Sequence, residues 1–259
     1  MKPNTALPCL SIPLPEGIIL DLDGTLIREH EVLEGARRLL ARFDGRHVIA
    51  SNNSSDTAAT LALRLARMGL QVAPDRLVLA GEEALRLIAQ SHPGAQILLL
   101  AAGPLHERAR SLGLRPDRRH GDVVLLCRDP GFNYDMLSNA ADHLRRGVPF
   151  FVANPDLTHP GANSRLVPET GTLLAAVSAC AGGVKPSQII GKPHPHLFRR
   201  ALALLGLPPH RTAMIGDNPD TDARGARAQG VPTLLIGDHA KAVARDPAGL
   251  LAVLGLGLG

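Results

Sequence analysis

A chain of 259 residues is long enough for one large α/β domain or two smaller ones. With 45% apolar and 20% charged residues it has ordinary globular composition, which excludes a disordered, collagen-like or coiled-coil chain. The formal charge of +4 suits an anionic ligand, yet the Arg residues are scattered and aromatics are scarce (five Phe, one Tyr, no Trp), so nucleic-acid binding is not expected.

The N-terminal stretch MKPNTALPCLSIPLPEG is broken by prolines before an apolar run forms and does not read as a signal peptide. No uncharged apolar run reaches the length of a membrane span, so the expected location is the cytoplasm. Cys9, Cys127 and Cys180 are odd in number and lack CxxC spacing, which predicts buried reduced thiols rather than a disulfide framework or a zinc site. Strands are predicted at 17–20, 47–50 and 77–80, with helices at 34–43 and 56–68 between them. Further strands are predicted at 96–101, 122–127 and 150–153, with helices at 105–112 and 134–146. The pattern resumes with helix 194–205, strand 213–215, helix 221–229 and strand 233–236. Gly69, Gly206 and Gly230 stand where helices should stop. The alternation specifies a parallel sheet flanked by helices. Eight strands in one sheet is long, so the preferred division is a core of residues 1–80 and 186–259 with an insertion at 81–185. The motifs that look chemical all lie outside that insertion, which therefore reads as a lid. The closing LLAVLGLGLG reads as a loosely held tail.

Four stretches carry chemistry. IILDLDGTLI places Asp21 and Asp23 directly after a buried strand, where ligands of open parallel sheets bind. Alone, DLDGT fits either a solvated Asp-Gly turn or an acidic catalytic or metal site; an EF-hand is excluded because Leu26 stands where that loop needs Gly. VIASNNSSD ends a strand in Ser51 and the backbone N–H groups that follow from Asn52 onward, donors suited to an oxyanion. Ser54, Ser55 or Asp56 is expected to cap the next helix. IIGKPHP fixes Lys192 between Gly191 and Pro193, which suits a held ammonium as well as a surface lysine, and His194 and His196 are expected to serve a helix start rather than a metal. AMIGDNPDTDA crowds Asp217, Asp220 and Asp222 into six residues, with Asp220 the expected helix cap and Asp217 the better metal ligand. All four fall at element ends on one sheet edge. Together, Asp21, Asp23 and Asp217 form a hard-oxygen site suited to Mg²⁺, and Ser51 and Lys192 answer the oxygens of a phosphoryl group.

The order DLDGTL, SNNS, GKP, GDNPDTD resembles the four motifs of the haloacid dehalogenase superfamily, and is similar to its IIA subclass, the p-nitrophenyl phosphatase, phosphoglycolate phosphatase and pyridoxal phosphatase group. GFNYDML, ANPD and PETGTLLAAV resemble parts of that subclass's α/β cap, so the resemblance covers essentially the whole chain and implies a Rossmann-like core with an inserted α/β cap. It implies Asp21 as the nucleophile that forms an aspartyl-phosphate and Asp23 as general acid, then base. Ser51 and Asn52 would bind phosphate, Lys192 would neutralise charge, and Mg²⁺ would be held by Asp21, the Asp23 carbonyl and Asp217. Asn218 and Asp222 would orient the lysine and metal ligands. In the cap, Asn154, Asp156 and His159 are candidate leaving-group contacts, while Asp135 reads as a solvated helix residue. Two positions depart from the subclass, which commonly has Val at Thr25 and Ser-Pro in place of His194-Pro195. The implied function is Mg²⁺-dependent hydrolysis of a small-molecule phosphomonoester, with no membrane partner; a cap-mediated homodimer fits the resemblance. The alternatives are a phosphotransferase on the same scaffold and a non-enzymatic phosphometabolite sensor. The sensor predicts loss of a reacting residue, and all are present.

Overall fold

The computed structural model describes residues 14–160 and 165–256, so Cys9 and the N-terminal stretch through residue 13 lie outside the described residues. Five parallel strands form a first sheet in the order Thr233–Leu235, Thr212–Gly216, Gly17–Leu20, His47–Ser51, Leu77–Leu79. The first strand in sequence is central, and the chain fills one side before returning to fill the other. This reversal opens a crevice at the carboxyl ends of the strands, between Gly17–Leu20 and Thr212–Gly216. A second all-parallel sheet runs Gln188–Ile189, Phe150–Val152, Val123–Leu126, Gln96–Leu100, Arg115–Asp117. The fold is thus α/β with a Rossmann-like parallel core. The second sheet takes its edge strand from beyond residue 185.

The strands are continuous apolar runs because helices cover both faces. In the first sheet, Ile18, Leu20, Ile49 and Ile215 pack with Leu39, Phe43, Leu61 and Leu65 of two helices on one side. On the other, Ile19, Val48, Val78 and Met214 meet Leu85, Ile88, Leu197 and Phe198. That second cluster continues without a break into Ile97, Leu99, Val123, Leu125 and Phe151 of the second sheet. The far face of the second sheet buries Leu98, Leu100, Val124 and Phe150 against Ala140, Leu144 and Val177.

Several elements differ from expectation for identifiable reasons. The second helix spans Ala58–Arg67 and is capped by Thr57, whose hydroxyl accepts the Thr60 N–H while Thr60 Oγ1 accepts the Thr57 N–H. Ser54, Ser55 and Asp56 are left in the preceding turn, where Asn53 Oδ1 accepts the N–H groups of Ser55 and Asp56. Residues 221–229 begin as a π-helical turn, Pro219–Ala223, followed by α-helix Arg224–Ala228; Asn218, not Asp220, is its cap. Helices Ala80–Ser91 and Thr170–Cys180 add to those expected. Of the predicted tail, residues 250–253 close the helix Pro247–Val253, with Leu250 and Leu251 buried, and 257–259 lie outside the described residues. Cys127 is a buried thiol, whereas Cys180 is exposed on the last turn of its helix, contrary to expectation. Among the described residues no helix is long and apolar enough to cross a membrane.

Thr25, one of the departures from the subclass pattern, is completely buried, and its hydroxyl has no hydrogen-bond partner among the described residues. A hydroxyl removed from water without a partner destabilises the fold, and valine has nearly the same shape. Thr25→Val is therefore expected to raise the unfolding free energy by about 1 kcal/mol. Urea denaturation checks this, and a lowered midpoint would show that the hydroxyl is satisfied in solution.

Candidate active site

The site is assembled from four strand and turn ends at the crevice. The Asp21 N–H donates to the Ile215 carbonyl at 2.8 Å, carrying the parallel ladder one residue past Leu20, and Asp21 as a residue is 8% exposed. Lys192 enters from the GKP turn, 171 positions away, and its Nζ donates to Asp21 Oδ1 at 2.5 Å and to Asp222 Oδ1 at 2.7 Å. Asp222 reaches this point because the π-helical turn rotates it back over Gly216. A Cβ at Gly216 would lie 2.2 Å from Asp222 Oδ2, so only glycine allows that approach. The second carboxylate oxygen of Asp222 accepts the Asn218 N–H at 3.1 Å. Lys192 is 2% exposed and Asp222 fully buried. Burial by itself would lower the lysine's pKa; the charges and hydrogen bonds of Asp21 and Asp222 outweigh that and raise it above its ordinary value.

Carboxylate oxygens of Asp21, Asp217 and Asp222 lie within 4.8 Å of one another. Burial, then the charges of Asp21 and Asp222, push the Asp217 carboxyl up to about 7. Asp23 opens toward solvent from a crowded recess; loss of hydration, then the Asp21 charge, raises it to about 6. Three clustered carboxylates therefore face one ammonium, with Asp23 nearby, and the negative excess is what a divalent cation would relieve. The donors are all hard oxygens, so the residues fit Mg²⁺. Asp222 is engaged by Lys192 and Asn218, which leaves Asp21 and Asp217 as the freer ligands.

Ser51 ends the strand beside Gly17–Leu20 and is buried; its Oγ accepts the Asn53 N–H at 3.1 Å. Asn52 does not offer its side chain to an anion. Its amide is engaged by the main chain of Lys192 and by Asp156, so only its backbone N–H remains for that role. Asn154, expected at the leaving group, is fully buried at the junction of the two sheets. Its Nδ2 donates to the Asn52 carbonyl at 2.7 Å and reaches Ser54 Oγ and Thr170 Oγ1 at 3.2 Å, so it cannot touch a substrate. Asp156 is half-buried beside Asn52, with burial raising its pKa. His159 Nδ1 lies 2.7 Å from Glu169 Oε1, which also meets Arg128 Nε at 3.2 Å. His196 turns away to Glu83, with Nε2 and Oε2 3.1 Å apart. Asp135 is exposed in the first helical turn after Asn133, and Lys185 is exposed.

Sequence reasoning passed over Arg128, Thr170 and Glu169, and read Ser54 only as a helix-cap candidate. Ser54 Oγ accepts the Arg128 N–H at 3.0 Å and lies 3.0 Å from Thr170 Oγ1, tying the turn after Ser51 to the second sheet. PETGT was visible as a motif, but its partner 116 positions earlier was not.

A family model described as haloacid dehalogenase-like hydrolase matches residues 15–230, and the chain belongs to that family. The acid sugar phosphatase of Staphylococcus aureus (strain USA300) is 30% identical over 220 residues, 83% of this chain and 84% of the relative. The solved 4-nitrophenylphosphatase from Thermotoga maritima is 28% identical, covers 92% of this chain and 97% of its own, and superposes with a TM-score of 0.84. The glycerol phosphate phosphatase from Mycobacterium tuberculosis, solved in complex with magnesium, is 30% identical with a TM-score of 0.78, covering 86% of this chain and 68% of its own. The nitrophenylphosphatase falls in the group indicated by the motif order.

Gly24 separates Asp23 from Thr25 at φ +83, and a Cβ there would stand 2.1 Å from Asp217 Oδ2. Gly24→Ala is expected to lower stability by about 1 kcal/mol or more through the left-handed backbone alone. By displacing Asp217 it should also shrink the Mg²⁺-dependent rise in unfolding midpoint. A variant with the wild-type Mg²⁺ response would remove Asp217 from the metal site.

Proposed function

We propose that this chain hydrolyses a small-molecule phosphomonoester, with residues 1–80 and 186–259 as catalytic core and 81–185 as inserted cap, to whose sheet the core segment lends the edge strand Gln188–Ile189. The observation that carries the reading is the buried Lys192 ammonium bridging Asp21 and Asp222 beside Asp217, with Asp23 two residues along the chain. The phosphatase names of the relatives at 28–30% identity support it.

In this reading an Asp21 carboxylate oxygen attacks phosphorus in line with the departing alkoxide. The P–O bond to the alkoxide breaks, and an aspartyl-phosphate forms. Asp23, whose carboxyl titrates near 6, delivers its proton to the leaving oxygen and then accepts one from the water that hydrolyses the acyl phosphate. Ser51 and the backbone N–H groups after it receive the non-bridging oxygens. Lys192 reduces repulsion between the Asp21 anion and the incoming phosphate, and Asp222 keeps its ammonium in place. Asp21, the Asp23 carbonyl and Asp217 would hold Mg²⁺, which supplies neutralisation of developing charge when bound; the magnesium complex of the mycobacterial relative supports that choice. Asp23 is suited to proton transfer because the crowding that raises its pKa leaves it protonated in part at neutral pH.

Phosphate release from p-nitrophenyl phosphate, glycerol phosphate and sugar phosphates should require Mg²⁺ and stop with EDTA. Asp21→Asn, nearly isosteric but a poor nucleophile, should lower kcat by roughly 10³-fold or more. Folded wild-type protein that binds these esters yet releases no phosphate would overturn the reading.

A further inference from the structure

One side chain at the junction of the two sheets has every polar atom engaged, although the reaction does not consume any of them. Asn52 Oδ1 accepts the Lys192 N–H at 2.7 Å, while Nδ2 donates to the Lys192 carbonyl at 3.0 Å and to Asp156 Oδ2 at 2.9 Å. The first two bonds grip the peptide groups on both sides of one α-carbon, as a neighbouring strand would. The third leads to the loop of the second sheet that carries Asp156. Asn154 closes the arrangement: its Nδ2 holds the Asn52 carbonyl at 2.7 Å, and its Oδ1 accepts the Asp156 N–H at 3.1 Å. Gly191 makes the grip possible, since a Cβ there would lie 2.5 Å from Asn52 Oδ1 and 2.8 Å from Asn154 Cβ.

Lysine has a flexible four-carbon stem, so the position of its ammonium depends on how firmly its backbone is anchored. We infer that Asn52 is a positioning residue through which the seating of the Asp156 loop sets the placement of the Lys192 ammonium against Asp21. The inference rests on the proposed phosphatase reaction and adds a residue to it. Asp156 thereby acts through Asn52 on the reacting centre, rather than through contact with the leaving group. An error of about 1 Å in a reacting group can lower a rate about 10²-fold, so a loosened grip on residue 192 should be visible in kcat.

The test is steady-state kinetics with Mg²⁺ on p-nitrophenyl phosphate, glycerol phosphate and a hexose phosphate. It compares wild type with Asn52→Ala, Asp156→Ala, Asp156→Asn and the double variant Asn52→Ala/Asp156→Ala. Asn52→Ala and Asp156→Ala are expected to lower kcat by about 10- to 100-fold. Each variant's factor should be the same for all three leaving groups, with KM little changed. The double variant should be no slower than Asn52→Ala, because both changes break one chain of contacts. Asp156→Asn, whose amide oxygen still accepts the Asn52 bond, should keep most of kcat. The inference is overturned if Asp156→Ala raises KM by different factors for different esters at unchanged kcat, which would make Asp156 a leaving-group contact. It is equally overturned if the two losses multiply in the double variant. If Asn52→Ala does not fold, the contrast between Asp156→Ala and Asp156→Asn decides by the same criteria. Wild type inactive on all three esters would instead sink the phosphatase reading, so the two failures are distinguishable.

Discussion

Lys192 Nζ sits between Asp21 and Asp222 in a place that water scarcely reaches, and much of the local architecture follows from making that charge tolerable. Taking an ammonium and two carboxylates out of water costs several kcal/mol per ion unless their attraction is realised at close range with good geometry. Here the ion pairs are 2.5 and 2.7 Å. The three partners come from separate chain segments that the sheet topology brings to one crevice. Gly216 allows Asp222 to fold back over the strand, and Gly191 allows Asn52 to close on Lys192's main chain. Each glycine is required because a neighbour's polar atom occupies the space of a Cβ. The ion pairs thus set the packing around them.

The same cluster leaves a surplus of negative charge. One ammonium cannot neutralise three clustered carboxylates, and both Asp217 and Asp23 are pushed toward protonation by loss of hydration and by Asp21. A fold built only for stability would replace such a group with apolar residues of similar volume, often at no cost. Placed in a crevice at strand ends, such a group suits a charged reactant, and in the proposed reaction the surplus is answered by a cation and a lysine on one side and an electrophilic phosphoryl group on the other.

What could be read in advance follows from the range of the interactions concerned. Gly17–Leu20, His47–Ser51 and Val123–Leu126 were legible because strands buried on both faces must be continuous apolar runs. The gathering of Asp21, Lys192 and Asp217 in one crevice was legible because they stand at element ends on the sheet edge where ligands of open parallel sheets bind. Helix Ala80–Ser91 was missed because it begins directly after Leu79 with no breaker, and because Glu82 and Glu83 in its first turn look solvated but are buried. Glu82 is satisfied by the Ala58 N–H, Arg86 and Arg108, the last two at 2.8 Å, and of these only Arg86, four residues on, belongs to a local pattern. Asn154 was misplaced for the same reason. An Asn in a loop reads as an accessible polar group until its partners, 100 and 102 positions earlier, are known.

The insertion read as a lid because it lacks chemical motifs, but its packing argues for a fixed wall. A single apolar cluster joins Ile19, Val48 and Met214 of the first sheet, Leu85 and Ile88 of helix Ala80–Ser91, and Ile97, Leu125 and Phe151 of the second sheet. Pulling the sheets apart would hydrate that surface at about 25 cal/mol per Å² and would strand buried polar groups such as Asn154 and Ser54. A hinge between sheets is therefore the costly way to admit a substrate. The polar junction then has a natural role beyond cohesion: a rigid second sheet supplies a fixed reference from which Asn52 and Asn154 align the turn that bears Lys192.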